Sequence, residues 1–221
     1  MEFVEQSFKI DGSIDGIAIA KKIERCGKVC YKAEHNITDD SYIRFLKMII
    51  KNQHESVLEH VSITVKAYTD RGITHEIVRH RLAAYSQEST RYCNYCDEKF
   101  DSKYNKRIKV ILPKSLENDH RVIRLMGQIE DVYNALIDEG IKPQDARDIL
   151  PTCLKSEIVM TYNLREWRWF FIKRCEVDAH PKIRDLACGI LKEFHDKIPV
   201  VFDDLYDRFI PKYEENAQNR T

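Results

Sequence analysis

Two stretches of alternating side chains constrain the fold of this 221-residue chain more than anything else in it. In residues 61–68, Val61, Ile63, Val65 and Ala67 alternate with Ser62, Thr64, Lys66 and Tyr68, the period-two pattern of a strand with one covered face. Residues 156–162 alternate in the same way. Each run feeds a helix start. Asp70 stands as N-cap ahead of Ile73, Ile77 and Leu82 at near-helical spacing. Asn163 stands as N-cap with Glu166 three residues later, the pattern of a capping box.

The remaining elements follow from periodicity and punctuation. Residues 3–10 read as a looser strand ended by Asp11-Gly12, and 107–112 as a short strand ended by Pro113. Helical spacing covers 14–26, 41–50 and a long segment, 116–139, that Gly140 stops. Pro143 and Pro151 bound a short helix. His180-Pro181 opens a long helix with an uninterrupted apolar stripe, 202–209 adds a short one, and 214–221 is expected to fray. Residues 97–100 form a charged loop. No repeat, linker or shift in composition divides the chain, so one domain over 1–221 is expected.

Lysine plus arginine equals aspartate plus glutamate, 36 of each, so no basic field argues for nucleic acid. No apolar run approaches membrane-spanning length and the N-terminus has no signal-like apolar core, so a soluble cytoplasmic protein is expected. Seven cysteines without secretory context are expected to be reduced. Cys93 and Cys96 with Cys26 and Cys30 offer four thiolates, but not at zinc-ribbon or finger spacing, and His75, Glu76 and His80 miss the zincin pattern.

The chemistry concentrates in residues 79–92. Arg79, His80 and Arg81 fall near the expected end of a helix, where the dipole favours cations. An apolar turn follows, then a polar loop of Ser86, Gln87, Glu88, Ser89 and Thr90 closed by Arg91. Hydroxyls, an amide and a guanidinium in so short a span can surround a phosphate, although without glycine this is no P-loop. Farther on, Arg147 lies beside Asp145 and Asp148, which by themselves explain it as a surface ion pair. Trp167, Phe170, Phe171 and Arg174 share one helical face. A guanidinium there needs an anionic or carbonyl partner or must snorkel to water; the partner is either Asp178, if the helix continues, or a bound ligand.

Arg-His-Arg at 79–81, then Ser89-Thr-Arg-Tyr, resembles the defining motif of the flavin-dependent thymidylate synthases. Three further segments agree in order and spacing: His54-Glu-Ser-Val-Leu-Glu-His60, Ala146-Arg-Asp-Ile-Leu-Pro151, and Asn163 through Arg174. The resemblance implies an α+β domain with an antiparallel sheet flanked by helices and no Rossmann fold, in keeping with the lack of any Gly-x-Gly-x-x-Gly. It implies homotetramers with sites shared between subunits. It also implies methylation of dUMP to dTMP with 5,10-methylenetetrahydrofolate as carbon donor, FAD as hydride carrier and NADPH as reductant.

By the same resemblance, dUMP would be held by Glu76, Ile77, Val78, Arg79, Gln87, Glu88, Ser89, Thr90, Arg91, Arg147 and Arg174. FAD would meet Ser56, Arg79, His80, Arg81, Gln87, Asn163, Leu164, Arg165 and Trp169. Arg174 would be the catalytic group, stabilising ionised N3 of the pyrimidine. No base flanks Ser89 to make it a nucleophile, and no cysteine stands where the cysteine-dependent synthases carry theirs. Glu76, Ser86 and Trp169 depart from residues common in relatives. A nucleotide- or RNA-binding module built on the arginines, and a zinc hydrolase, are the rival readings.

Overall fold

The computed structural model describes residues 1–96 and 107–218. In chain order the elements are β1 (Glu2–Phe3), β2 (Ser7–Ile10), α1 (Gly16–Lys28), α2 (Ser41–Lys51), β3 (Ser62–Asp70), α3 (Arg71–Ile77) and β4 (Ala83–Gln87). Then come β5 (Lys109–Val110), α4 (His120–Asp138), α5 (Pro143–Ala146), β6 (Lys155–Asn163), α6 (Leu164–Arg174), α7 (Pro181–Lys197) and α8 (Pro199–Gln218). The charged run 97–100 lies outside the described residues.

Four strands hydrogen-bond in the order β2-β3-β6-β4. β3 and β6 are antiparallel: Leu164 N–H donates to the Val61 carbonyl, Thr64 and Thr161 hydroxyls meet at 2.8 Å, and Arg71 N–H donates to Leu154. Partner numbers fall on one strand as they climb on the other. Helices flank this sheet, so the chain is α+β, and the strand order is not that of a doubly wound Rossmann sheet.

The residues group into two compact units. The first comprises Met1–Ser7, Lys66–Arg79 and Tyr85–Val159. Its core gathers Ile108, Val110, Met126, Tyr133, Ala146 and Leu154, with the apolar stripe of α4 over them. The second comprises Phe8–Val65, His80–Ala84 and Met160–Thr221. Its core is aromatic: Trp167, Phe170, Phe171, Phe194 and Phe202 are fully buried with ring centroids 5.0–5.8 Å apart. The Trp167 indole N–H donates to the Ile63 carbonyl at 3.0 Å. α1 crosses α2 at Gly27, where a Cβ would stand 2.3 Å from the Phe45 ring.

Several expectations are corrected. The first strand is two: residues 2–3 pair in parallel with β5, while 7–10 join β3, so the chain changes partners midway. α3 stops at Ile77, and Arg79, His80 and Arg81 lie in the turn beyond it. The Tyr85 hydroxyl donates to the Ile77 carbonyl at 2.8 Å, satisfying a terminal acceptor that a longer helix would use itself. Ser86 and Gln87 lie on β4, not in a loop. Of 107–112 only 109–110 is strand. Residues 143–150 divide into α5 and a 3-10 turn, Arg147–Ile149, with Leu150 extended before Pro151. The final helix begins at Pro199 and passes through Pro211 to Gln218, so 214–218 are helical. α6 ends at Arg174, which leaves Asp178 beyond the helix.

Candidate functional site

In the first unit a turn of hydroxyls meets two guanidinium groups. Glu88 N–H donates to the Glu157 carbonyl, extending β4 by one rung before the chain leaves the sheet. The next residues coil tightly. The Ser89 carbonyl accepts from Tyr92 and Cys93 at 3.1 and 2.9 Å, and its hydroxyl accepts from Arg91 N–H at 3.3 Å. Arg147, at the C-cap of α5, donates from Nη1 to the Thr90 hydroxyl at 3.4 Å. Thr90 is buried, whereas Arg91 and Arg147 are exposed. Two solvent-facing guanidiniums and a row of hydroxyls therefore gather within one unit, the donor set an oxyanion takes.

Gln87 is pinned beside this turn. Its amide nitrogen donates to Thr74 Oγ1 at 2.8 Å and to Ser156 Oγ at 3.5 Å. Arg71, which no sequence pattern singles out, reaches the Glu88 carbonyl at 3.5 Å. The Glu88 carboxylate accepts from Tyr95 at 2.7 Å and lies 3.5 Å from Lys155, on the wall of a cavity of about 160 Å³. Burial first, then the Glu88 charge, pushes the Tyr95 phenol up. Ile77 is fully buried and its carbonyl is engaged by Tyr85. Val78 and Arg79 are exposed, Glu76 is half-buried, and Arg79 N–H donates to the Glu76 carbonyl.

In the second unit, His80 is the centre. It is 6 % exposed, with Nδ1 3.3 Å from Glu166 Oε1 and Nε2 accepting from Arg174 Nε at 3.0 Å. Burial, and then the Arg174 charge, draw its pKa down to about 4. Burial pushes the Glu166 carboxyl up. Glu166 thus does not close the capping box. Its backbone N–H donates to the Asn163 side-chain oxygen at 2.9 Å, but its own side chain turns to His80.

Arg81, Arg165 and Ser56 are exposed, and Arg165 pairs with Glu59 at 2.6 Å. Trp169 is 48 % exposed, with the Lys173 ammonium 4.5 Å from its ring centroid. Leu164 is fully buried, and its N–H donates to the Val61 carbonyl at 2.9 Å. Arg168, which sequence reasoning passed over, anchors the 3-10 turn Glu55–His60 that carries Ser56, donating to Glu55 at 2.8 Å. Among the described residues no cluster of three or more His, Cys, Asp or Glu could hold a metal, and no helix is long and apolar enough to cross a membrane.

Fold and side chains together define a class: an α+β chain with an oxyanion-receptive turn in one unit and a cationic, aromatic face in the other. Comparison with known proteins makes that class specific. The family model described as thymidylate synthase complementing protein matches residues 17–200. The flavin-dependent thymidylate synthase of Pyrococcus furiosus is 31% identical over 186 residues, 81% of this chain and 73% of that protein. That of Geobacter sulfurreducens is 36% identical over 165 residues, covering 72% and 68%, and that of Mycobacteroides abscessus 31% over 220, covering 88% and 83%. Among solved structures, the UMP/dUMP methylase PolB of Streptomyces cacaoi superposes with a TM-score of 0.74 at 19% identity, over 95% of this chain and 98% of that one. The chain belongs to the flavin-dependent thymidylate synthase family.

Proposed function

We propose that this protein methylates dUMP to dTMP, taking a one-carbon unit from 5,10-methylenetetrahydrofolate, with FAD as hydride carrier and NADPH as the reductant. The single observation that carries the reading is the meeting of Arg147 with Thr90 at 3.4 Å. It joins two segments 57 residues apart, each singled out by resemblance for the nucleotide phosphate. Ser89, Thr90, Arg91 and Arg147 would hold that phosphate, with Gln87 held beside them by Thr74. Arg79, exposed at the end of α3, is placed by the reading between nucleotide and cofactor.

The second unit carries groups that suit FAD. An exposed indole face at Trp169, the exposed guanidiniums of Arg81 and Arg165, and the Ser56 hydroxyl match an aromatic ring with a pyrophosphate. Bound there, FAD supplies two-electron hydride chemistry. Arg174, with a delocalised guanidinium charge, would stabilise negative charge as N3 ionises and C5 becomes nucleophilic. No cysteine or serine nucleophile is assigned. The active form would be a cytoplasmic homotetramer of single-domain chains with sites completed between subunits.

The test is direct. Protein purified at modest salt should carry a flavin absorption band and form dTMP from dUMP when methylenetetrahydrofolate and NADPH are supplied. A colourless protein that shows salt-sensitive polynucleotide binding instead would support the nucleic-acid module and end this reading.

A further inference from the structure

We infer that His80, backed by Glu166, is a positioning residue for Arg174, holding its guanidinium through a neutral imidazole of fixed tautomer. The inference rests on the role proposed above for Arg174. Arg174 Nε always bears a hydrogen, so at 3.0 Å it must donate, and His80 Nε2 must present a lone pair. The ring proton is then on Nδ1, facing Glu166 Oε1 at 3.3 Å. The tautomer follows from the chemistry of the two neighbours.

The ring has little freedom to do otherwise. Phe170 meets it edge-on at 5.0 Å and Tyr162 stacks at 6.3 Å with 26° between planes. Glu166 is itself 8 % exposed, and its backbone is fixed by the Asn163 cap. The bond to Arg174 uses Nε, not the two terminal nitrogens that form the fork facing a planar anion. Losing the His80 acceptor removes a fixed bond from the guanidinium, and a group that must meet N3 in one geometry loses rate when its position spreads. A protonated His80 could not serve, since Nε2 would then turn a hydrogen toward a cation. Its pKa, drawn down by burial and by Arg174, keeps it neutral at working pH.

The experiment compares His80→Phe, His80→Gln and Arg174→Ala in the flavin-loaded, full-length protein. Phe keeps the ring volume and removes the acceptor; Gln restores an acceptor near Nε2. The first readout is the ultraviolet difference spectrum of bound 5-fluoro-dUMP against pH, which reports N3 ionisation without turnover. Wild type should bind this probe with N3 ionising below its free value, and Arg174→Ala should abolish that shift. His80→Phe should lose about half of the shift or more, and kcat should fall roughly 10- to 100-fold with KM for dUMP within about threefold, the loss of one charged hydrogen bond. His80→Gln should recover most of both.

If Arg174→Ala leaves the ionisation unchanged, the role proposed for Arg174 fails. If Arg174→Ala abolishes it while His80→Phe behaves as wild type, the positioning inference alone fails. Should His80→Phe not fold, Glu166→Leu leaves the imidazole in place without its backing carboxylate. It should lose roughly 3- to 10-fold in kcat with the same partial loss of the ionisation shift, and an unchanged shift there overturns the inference.

Discussion

Replacing Arg168 by methionine should unfold the second unit at markedly lower temperature. Arg168 is 3 % exposed, and its bonds to Glu55, Val201 and Asp204 lie within that unit. Nε donates to Glu55 at 2.8 Å, the two terminal nitrogens hold Asp204 at 2.8 and 2.7 Å, and Nη1 also meets the Val201 carbonyl at 2.5 Å. Breaking a buried pair by removing one partner costs about 3–5 kcal/mol, mostly from the charge left behind. Here water reaches the partners, since the Glu55 and Asp204 side chains are 21% and 47% exposed, which argues for the lower end. The stranded Val201 carbonyl adds to the loss, while methionine retains part of the stem packing. The sum is about 3 kcal/mol, which in a chain of this length lowers Tm by roughly 6–12 °C.

Scanning calorimetry gives Tm, and urea titration gives the midpoint with an unchanged m-value if only stability moves. Asp204→Asn, which removes a single exposed charge, should cost about 1 kcal/mol or less. A loss below about 1 kcal/mol in Arg168→Met would show that the buried guanidinium is redundant and refute the reasoning. Because Glu55 adjoins Ser56, the same variant should also hold flavin less tightly at temperatures where it remains folded.

Arg147→Ala should raise KM for dUMP roughly 10- to 100-fold with little change in kcat, the signature of lost phosphate binding, read from initial rates. The imidazole of His80 should show the Nδ1–H tautomer and stay neutral to about pH 5 by nitrogen NMR, since its pKa lies near 4. The folded pKa is below the unfolded value, so its contribution is complete above about pH 6.5 and lost as pH falls toward 4. Subtracting the His80→Gln stability profile from that of wild type should isolate a loss of order 2–3 kcal/mol across that window. Gly27→Val should cost about 1–3 kcal/mol by driving a side chain into Phe45. Gly127→Ala, with nothing within 4 Å in the middle of α4, should stabilise by roughly 0.5–1 kcal/mol, both read from denaturant midpoints.

What was legible in the sequence is what neighbouring residues decide among themselves. Asp70 and Asn163 were recognisable as N-caps because the amide each one accepts is three residues away, and both bonds are present at 2.8 and 2.9 Å. β3 and β6 were visible because alternation records which side chains face the core. The misplaced boundaries have distant causes. α3 ends early where Tyr85 takes the Ile77 carbonyl, and the first strand breaks where its partner changes from β5 to β3. The same distinction runs through the site. Arg147 has a sufficient local explanation in Asp145 and Asp148, so only resemblance assigns it to a nucleotide phosphate, and its bond to Thr90 has no local signal. Arg174 visibly needed a partner, but Asp178 was the wrong place to look, because the helix stops first and His80 stands 94 residues earlier. Glu166 fits half of a capping box by local pattern alone, whereas its side-chain partner is a ring 86 residues away. Periodicity can place a charged side chain on a face. The identity of the group that meets it depends on the pairing of β3 with β6 and on how α6 packs, both of which are settled only when the chain folds.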